Sequence, residues 1–322
     1  MERVEKAWKL ASPCVLCGRK CLVERAEDPG EDSGRGREGV FRGESPAELG
    51  GEVPDRTERR RRVGVCRTGR RAVVSSYGPH FGEEPPITGR RGSGTIFFSY
   101  CNLKCIFCQN YEIAHLGEGR EVRDEELAAI MLELQEMGCH NINLVSPTHV
   151  VPQILSALVI AVGQGLRIPL VYNTGGYDTV EALKLLDGIV DIYMPDMKYG
   201  TRQAAEKYSL APNYPEVNFA AVKEMHRQVG DLVTDELGIA VRGLLVRHLV
   251  LPGNLAGTEI VMKFIAEEIS KDTYVNIMDQ YRPYYKAVGD PVLGRRITRE
   301  EYREALRIAR EAGLTRVMQF CD

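Results

Sequence analysis

The sequence predicts an α/β protein, an open, partial (β/α)6 barrel preceded by a cysteine-rich extension. Two observations carry this. Six short apolar runs alternate with amphipathic segments between about residues 94 and 277. Seven of the nine cysteines fall in two groups within the first 108 of the 322 residues.

The expected strands cover residues 95–99, 141–145, 168–172, 190–193, 244–251 and 274–278. Nearly continuous apolar runs of this length suit strands covered on both faces. Between the first two, Leu127, Ile130, Met131, Leu134 and Met137 recur at helical spacing, with Asp124 as N-cap and Gly138 as the stop. Further helices are expected at 152–162, 179–186 and 257–269. Strand–helix alternation argues for a parallel sheet with right-handed crossovers. Six units are too few to close an eight-stranded TIM barrel, so a TIM-like but partial barrel is expected. The domain reading is an extension at 1–75, a barrel at 76–285, and a C-terminal helix (299–312) and strand (315–320) within 286–322. Residues 26–62 carry few large apolar groups and read as a mobile insertion. The basic run Arg59, Arg60, Arg61 and Arg62 closes it and reads as a solvated loop.

Composition bounds the function. A hydrophobic fraction of 43% is that of a globular domain, and a formal charge of −3 gives no bias toward nucleic acid or an acidic membrane. No apolar run approaches the roughly 20 residues of a membrane span, and the first ten residues are too polar for a signal peptide. A soluble cytoplasmic protein is the expectation, and clustered thiols in such a compartment are metal ligands more often than disulfides.

Cys101, Cys105 and Cys108 follow the first barrel strand directly, where chemistry collects in parallel sheets. Spacings of four and three positions let one loop hold three corners of a four-iron cluster, leaving the fourth iron without a protein ligand. An open iron chelates amino and carboxylate groups. Cys14, Cys17, Cys21 and Cys66 make a second, four-thiol set, which suits either structural zinc or a second iron–sulfur cluster. Cys139 and Cys321 are expected to be unligated.

The three-cysteine loop, with Phe107 before its last cysteine, resembles the radical S-adenosylmethionine (SAM) superfamily. That resemblance implies a [4Fe-4S] cluster, SAM as cofactor, reductive cleavage to a 5′-deoxyadenosyl radical, and hydrogen abstraction from a substrate. Other strand ends then become cofactor candidates: Ser146 and Thr148 in place of the superfamily's Gly-Gly-Glu stretch, then Asn173 and Thr174 before the paired Gly175 and Gly176. Asp196 and Lys198 are similar to the Asp-x-Lys of pyruvate formate-lyase activating enzymes. On the strand ending in Pro252 and Gly253, alternation lets only one of Arg247 and His248 face the cavity, and His248 is taken as the cofactor ligand. Segments 80–87, 92–98, 109–113, 141–149 and 247–252 resemble the PflX-type branch of activating-enzyme-like proteins.

The resemblance implies an electron donor such as flavodoxin or ferredoxin. The substrate is expected to be a protein glycyl residue, a peptide or a small metabolite. Two other classes remain: a non-catalytic metal-binding or redox protein, and an RNA-modifying enzyme acting through the arginine run. No catalytic side chain stands out.

Overall fold

A computed structural model describes residues 1–25 and 64–318. The expected insertion, its arginine run and Cys321 lie outside the described residues.

Strand formation follows the apolar runs, with shifted ends. The strands are β1 (Ala72–His80), β2 (Ser93–Phe98), β3 (Arg120–Val122), β4 (Ile142–Val145), β5 (Leu170–Thr174), β6 (Ile192–Pro195), β7 (Val233–Thr234), β8 (Ala240–Leu249), β9 (Tyr274–Met278) and β10 (Arg316–Met318). They form one sheet in the order β10-β9-β8-β6-β5-β4-β2-β1-β3, with β7 paired to β8. From β2 to β10 every neighbouring pair is parallel; β1 runs antiparallel to both β2 and β3. The end strands β10 and β3 do not pair with each other, so the sheet is open. It is therefore the expected α/β partial barrel, with seven parallel strands where six were anticipated. β1 and β3 went unread because their exposed, polar residues lack an apolar run. β1 straddles the expected boundary between residues 75 and 76.

Helices cover one face. Asp124–Glu136 and Val151–Gly163 bury Leu127, Ile130, Met131, Leu134, Ile154 and Leu158 against Ile142 and Leu144 of β4. Arg123, not Asp124, is the N-cap; its backbone N–H is held by Glu126 at 2.8 Å. Gly138 has φ +84° and ends that helix region as expected. Val180–Lys184, Thr258–Phe264 (continued by a wider turn at Ile265–Ile269) and Arg299–Glu311 match the other expected helices. Two further helices, Arg202–Ser209 and Tyr214–Val229, lie between β6 and β7. None of the helices among the described residues is long and apolar enough to cross a membrane.

The other face curls round an inner cluster of Ile87, Val171, Ile192, Met194, Leu232, Ala240 and Leu245. Because side chains alternate along a strand, the partners of these residues on the same face are Asn143, Asn173, Arg247 and Asn276. Glu84, in the connection between β1 and β2, accepts from Asn276 on β9, tying two sides of the curled sheet across its inner face, the lumen.

Gly176 shows how tightly the strand ends are fitted. Its φ is +71°, and a Cβ there would overlap the Asn218 amide and stand 2.5 Å from the Asp196 carbonyl oxygen. Gly188 has the same φ with nothing within 4 Å. We expect Gly176→Ala to lower unfolding free energy by about 3 kcal/mol or more and Gly188→Ala by about 1 kcal/mol, read by urea denaturation.

Candidate functional site

β2 delivers the chain into the cysteine loop at the C-terminal edge of the sheet. Ser99 N–H donates to Val73 O at 2.8 Å, and Tyr100, at φ +67°, turns the backbone. Distant segments then pin the loop: Lys104 N–H to Ser209 O (3.2 Å), Ile106 N–H to Tyr208 O (2.9 Å) and Ala287 N–H to Ile106 O (3.0 Å). Leu103 and Phe107 are buried, Phe107 edge-on to Tyr199 and Tyr281. The aromatic residue before Cys108 thus anchors the loop.

The three sulfurs are met by donors. Ser209 Oγ donates to Cys105 Sγ at 2.9 Å and Leu103 N–H to Cys101 Sγ at 3.4 Å, while the Asn110 N–H faces Cys108. Burial pushes the Cys101 thiol up and the Cys108 thiol to about 12. Sulfurs so desolvated become thiolates only beside compensating positive charge, which iron supplies. Three thiols on one loop, each approached by donors, fit a cluster bound at three corners, and hydrogen bonds to sulfur tune such clusters.

Beside the loop, Asp196 binds Lys198 Nζ at 2.6 Å and Arg247 Nε at 2.9 Å, and Arg247 Nη2 donates to Asn173 Oδ1 at 2.7 Å. Burial alone would raise the Asp196 carboxyl, but Arg247 and Lys198 outweigh it and hold it below the usual range. Glu83 and Glu84 complete the group, at 3.5 and 3.9 Å from Arg247. Asn173, Asp196 and Lys198 are therefore brought together, with Lys198 close enough to Cys101, Cys105 and Cys108 to act on them electrostatically.

Other expected ligands point elsewhere. Strand alternation turns Arg247, not His248, inward; His248 is fully buried, with Nδ1 at 2.7 Å from Met197 O and Nε2 at 3.0 Å from Thr258 Oγ1. Thr148 and Thr174 are spent on each other (3.0 Å), and Thr174 donates to Asp178 at 2.7 Å, a carboxylate that also accepts from Tyr172. Both residues lie in this closed network at most 2% exposed. Ser146 is half-buried at φ +58° at the end of β4. The paired glycines accommodate neighbours within the chain: a Cβ on Gly175 would stand 2.9 Å from Leu103 of the cysteine loop.

The N-terminal cysteines converge. Cys14, Cys17, Cys21 and Cys66 line one cleft with Arg19, Arg25, Asn102 and His149. Its walls come from a small hairpin, with Cys14 N–H to Val23 O and Leu22 N–H to Cys14 O both at 3.0 Å. It is seated on the loop after β5 by Thr179 N–H to Leu16 O. Buried Arg25 donates to Cys14 Sγ at 3.5 Å and to the carbonyl of His149. Burial drives the Cys17 thiol to about 12. Asn102 joins the two cysteine groups, with its side chain facing Cys17 while Cys101 Sγ lies 3.7 Å from its Oδ1. Among the described residues no three His, Cys, Asp or Glu stand together as the shell of a single ion. Cys139 is buried apart from both groups.

A parallel sheet with a three-thiol loop at its carboxyl edge and buried charges on neighbouring strand ends defines a cofactor-binding α/β enzyme fold. The profile of the radical SAM superfamily matches residues 95–243, which hold the loop and the strand ends through β8. The uncharacterized protein MJ0674 of Methanocaldococcus jannaschii is 35% identical over 261 residues, 78% of this chain and 70% of that protein. The chain belongs to the radical SAM superfamily. Among solved structures it is similar to a radical SAM methyltransferase from Sphaerobacter thermophilus (TM-score 0.49, 17% identity, 70% of this chain and 65% of that one). Methylornithine synthase PylB gives 0.43 at 16% identity, with 68% and 62% covered. HydG, a maturase of the [FeFe]-hydrogenase, gives 0.42 at 14%, with 66% and 47% covered. The chain thus spans less than two thirds of each of these three.

Two outcomes follow from the buried charges. Arg247→Met leaves Glu83 and Glu84 without their cation and Asp196 with Lys198 alone, and should cost about 3–5 kcal/mol in urea denaturation. Burial lowers the His248 imidazole from 6.5 to about 4, so the unfolded chain takes up its proton first. Stability falls as pH drops from about 6.5 toward 4 and levels off below. His248→Gln should remove up to about 3 kcal/mol of that fall across this window.

Proposed function

We propose that this chain is a radical SAM enzyme of the activating-enzyme-like, PflX-type branch, an oxidoreductase in the sense that it draws an electron from a flavodoxin or ferredoxin in the cytoplasm. The observation that carries the reading is the pinned loop of Cys101, Cys105 and Cys108 beside the Asp196, Lys198 and Arg247 group. Cys101, Cys105 and Cys108 would hold a [4Fe-4S] cluster, with Ser209 and the loop amides setting the charge on its sulfurs.

A [4Fe-4S] cluster held there together with SAM would supply the chemistry of reductive SAM cleavage and hydrogen-atom abstraction. The chain's residues orient and enclose. Lys198 offers a fixed cation at the loop, Asn173 and Asp196 offer oxygen acceptors for an amine or ribose, and Ser146 lies at the adjacent strand end. Leu103, Phe107 and the tyrosines behind them keep water from the loop, which protects a reactive species. The substrate is a glycyl residue of a partner, a peptide or a small metabolite. Cys14, Cys17, Cys21 and Cys66, which line one cleft without closing as the shell of a single ion, would close round zinc or a further cluster on binding it, with Arg19 and Arg25 offsetting its negative charge.

Anaerobically purified, reduced protein should convert SAM to 5′-deoxyadenosine and methionine. Cys105→Ala should abolish the product and lower iron by about four atoms per chain, while Cys17→Ala should spare the cleavage. Metal analysis of the Cys101, Cys105 and Cys108 triple alanine variant then reads the N-terminal metal alone. No 5′-deoxyadenosine from protein with its cluster intact would sink the proposal and favour a non-catalytic metal protein.

A further inference from the structure

The lumen behind the cofactor site is short of positive charge. Asp196, Glu83 and Glu84 bring three carboxylates to it; Arg247 and Lys198 bring two cations. His80 faces Glu83 from the end of β1 but is only half-buried. Arg316, a cation on the β9 side, is engaged elsewhere: it lies over the Tyr274 ring and donates to Leu232 O.

Hydrogen bonding tells the same story independently. Glu84 is 6% exposed; its Oε1 accepts from Asn276 Nδ2 at 3.0 Å, while its buried Oε2 has no partner. Asn276 is 4% exposed and its Oδ1 also has none. Asn143 is fully buried on the same inner face, opposite in alternation to core-facing Ile142 and Leu144, and neither of its amide atoms is bonded. Buried polar groups are almost always satisfied, and each exception asks for a partner. Here the unmet atoms are mainly acceptors, one of them on a carboxyl group, in a lumen where carboxyl groups outnumber cations three to two. An ammonium group, with three N–H donors and one positive charge, meets both needs.

We propose that Glu84 and Asn276, backed by Glu83, form a substrate subsite for an ammonium-bearing molecule in the lumen. The inference rests on reading the cysteine-loop end of the lumen as the reaction site, and it narrows the substrate to a compound carrying a primary amine. Arg247 is then a positioning residue. Its guanidinium is shared among Asp196, Asn173, Glu83 and Glu84, holding Glu84 Oε2 free.

The test is calorimetric titration of the full-length protein, saturated with S-adenosylhomocysteine so that the cofactor site is filled. The probes are n-butylammonium, putrescine, n-butanol, butyrate and potassium chloride. At least one amine should bind tenfold or more tighter than the isosteric alcohol and acid. Glu84→Gln should weaken it at least tenfold, and Asn276→Ala should weaken it while leaving the circular dichroism unchanged. The proposal is overturned if no amine binds, if alcohol or acid binds as well, if potassium displaces the amine at equal concentration, or if both variants bind like the parent chain. Production of 5′-deoxyadenosine without amine selectivity would overturn this inference alone. Amine binding that depends on Glu84, in protein that forms no 5′-deoxyadenosine, would support it and count only against the cluster reading.

Discussion

The ion pair between Arg247 and Asp196 is the constraint on which the site depends. It joins β8 to the end of β6, and through the same guanidinium it reaches Asn173 on β5 and Glu83 and Glu84 ahead of β2. Four sequence-distant segments are held at one depth by one planar cation, a task suited to arginine's fixed fork of donors. The pair lies behind the cysteine loop, so the charge that positions Asp196 also positions Lys198 near the thiols. Burying this many charges is costly unless each is paired. Here Asp196, Glu83 and Glu84 all share Arg247, and only Asp196 also has Lys198.

The same economy explains why the loop itself is rigid. Its backbone is tied to the Arg202–Ser209 helix and to residue 287, and its one long aromatic side chain is wedged among tyrosines. A loop bearing three ligands for one cluster must present them at fixed separations, and these contacts do so from outside the sheet. Asn102 extends the tie to the N-terminal hairpin, donating to Tyr177 O at 3.0 Å while its own carbonyl accepts from Arg19 at 2.8 Å. The two cysteine groups are therefore neighbours through a shared residue, although 35 positions of sequence separate Cys66 from Cys101.

The strand–helix rhythm was legible because it depends on local pattern. Strand starts drifted where a local feature competed. The run expected from residue 168 begins at Leu170, after Pro169, which has no N–H to give the ladder. The cysteine loop was legible because its ligands are close in sequence. Long-range partners were not. Nothing local marks Glu84 as facing Asn276, 192 positions away, or Ser209 as the donor to Cys105, 104 positions away. Thr148, Thr174 and His248 look like ligands in sequence, since hydroxyls and imidazoles bind cofactors. Thr148 and Thr174 instead bond each other and Asp178, and His248, turned away from the inner face by strand alternation, lies against Met197 O and Thr258 Oγ1. Period-two alternation had already limited the choice on β8 to one of Arg247 and His248, but which of the two faces inward depends on register with β6 and β9.

The most direct measurement is electron paramagnetic resonance of the dithionite-reduced protein with and without SAM. The account requires a reduced four-iron signal that changes shape when SAM is added, in wild type and in Cys17→Ala, and is absent from Cys105→Ala. A reduced signal identical with and without SAM, or one that survives loss of Cys105 and responds to SAM, would contradict it.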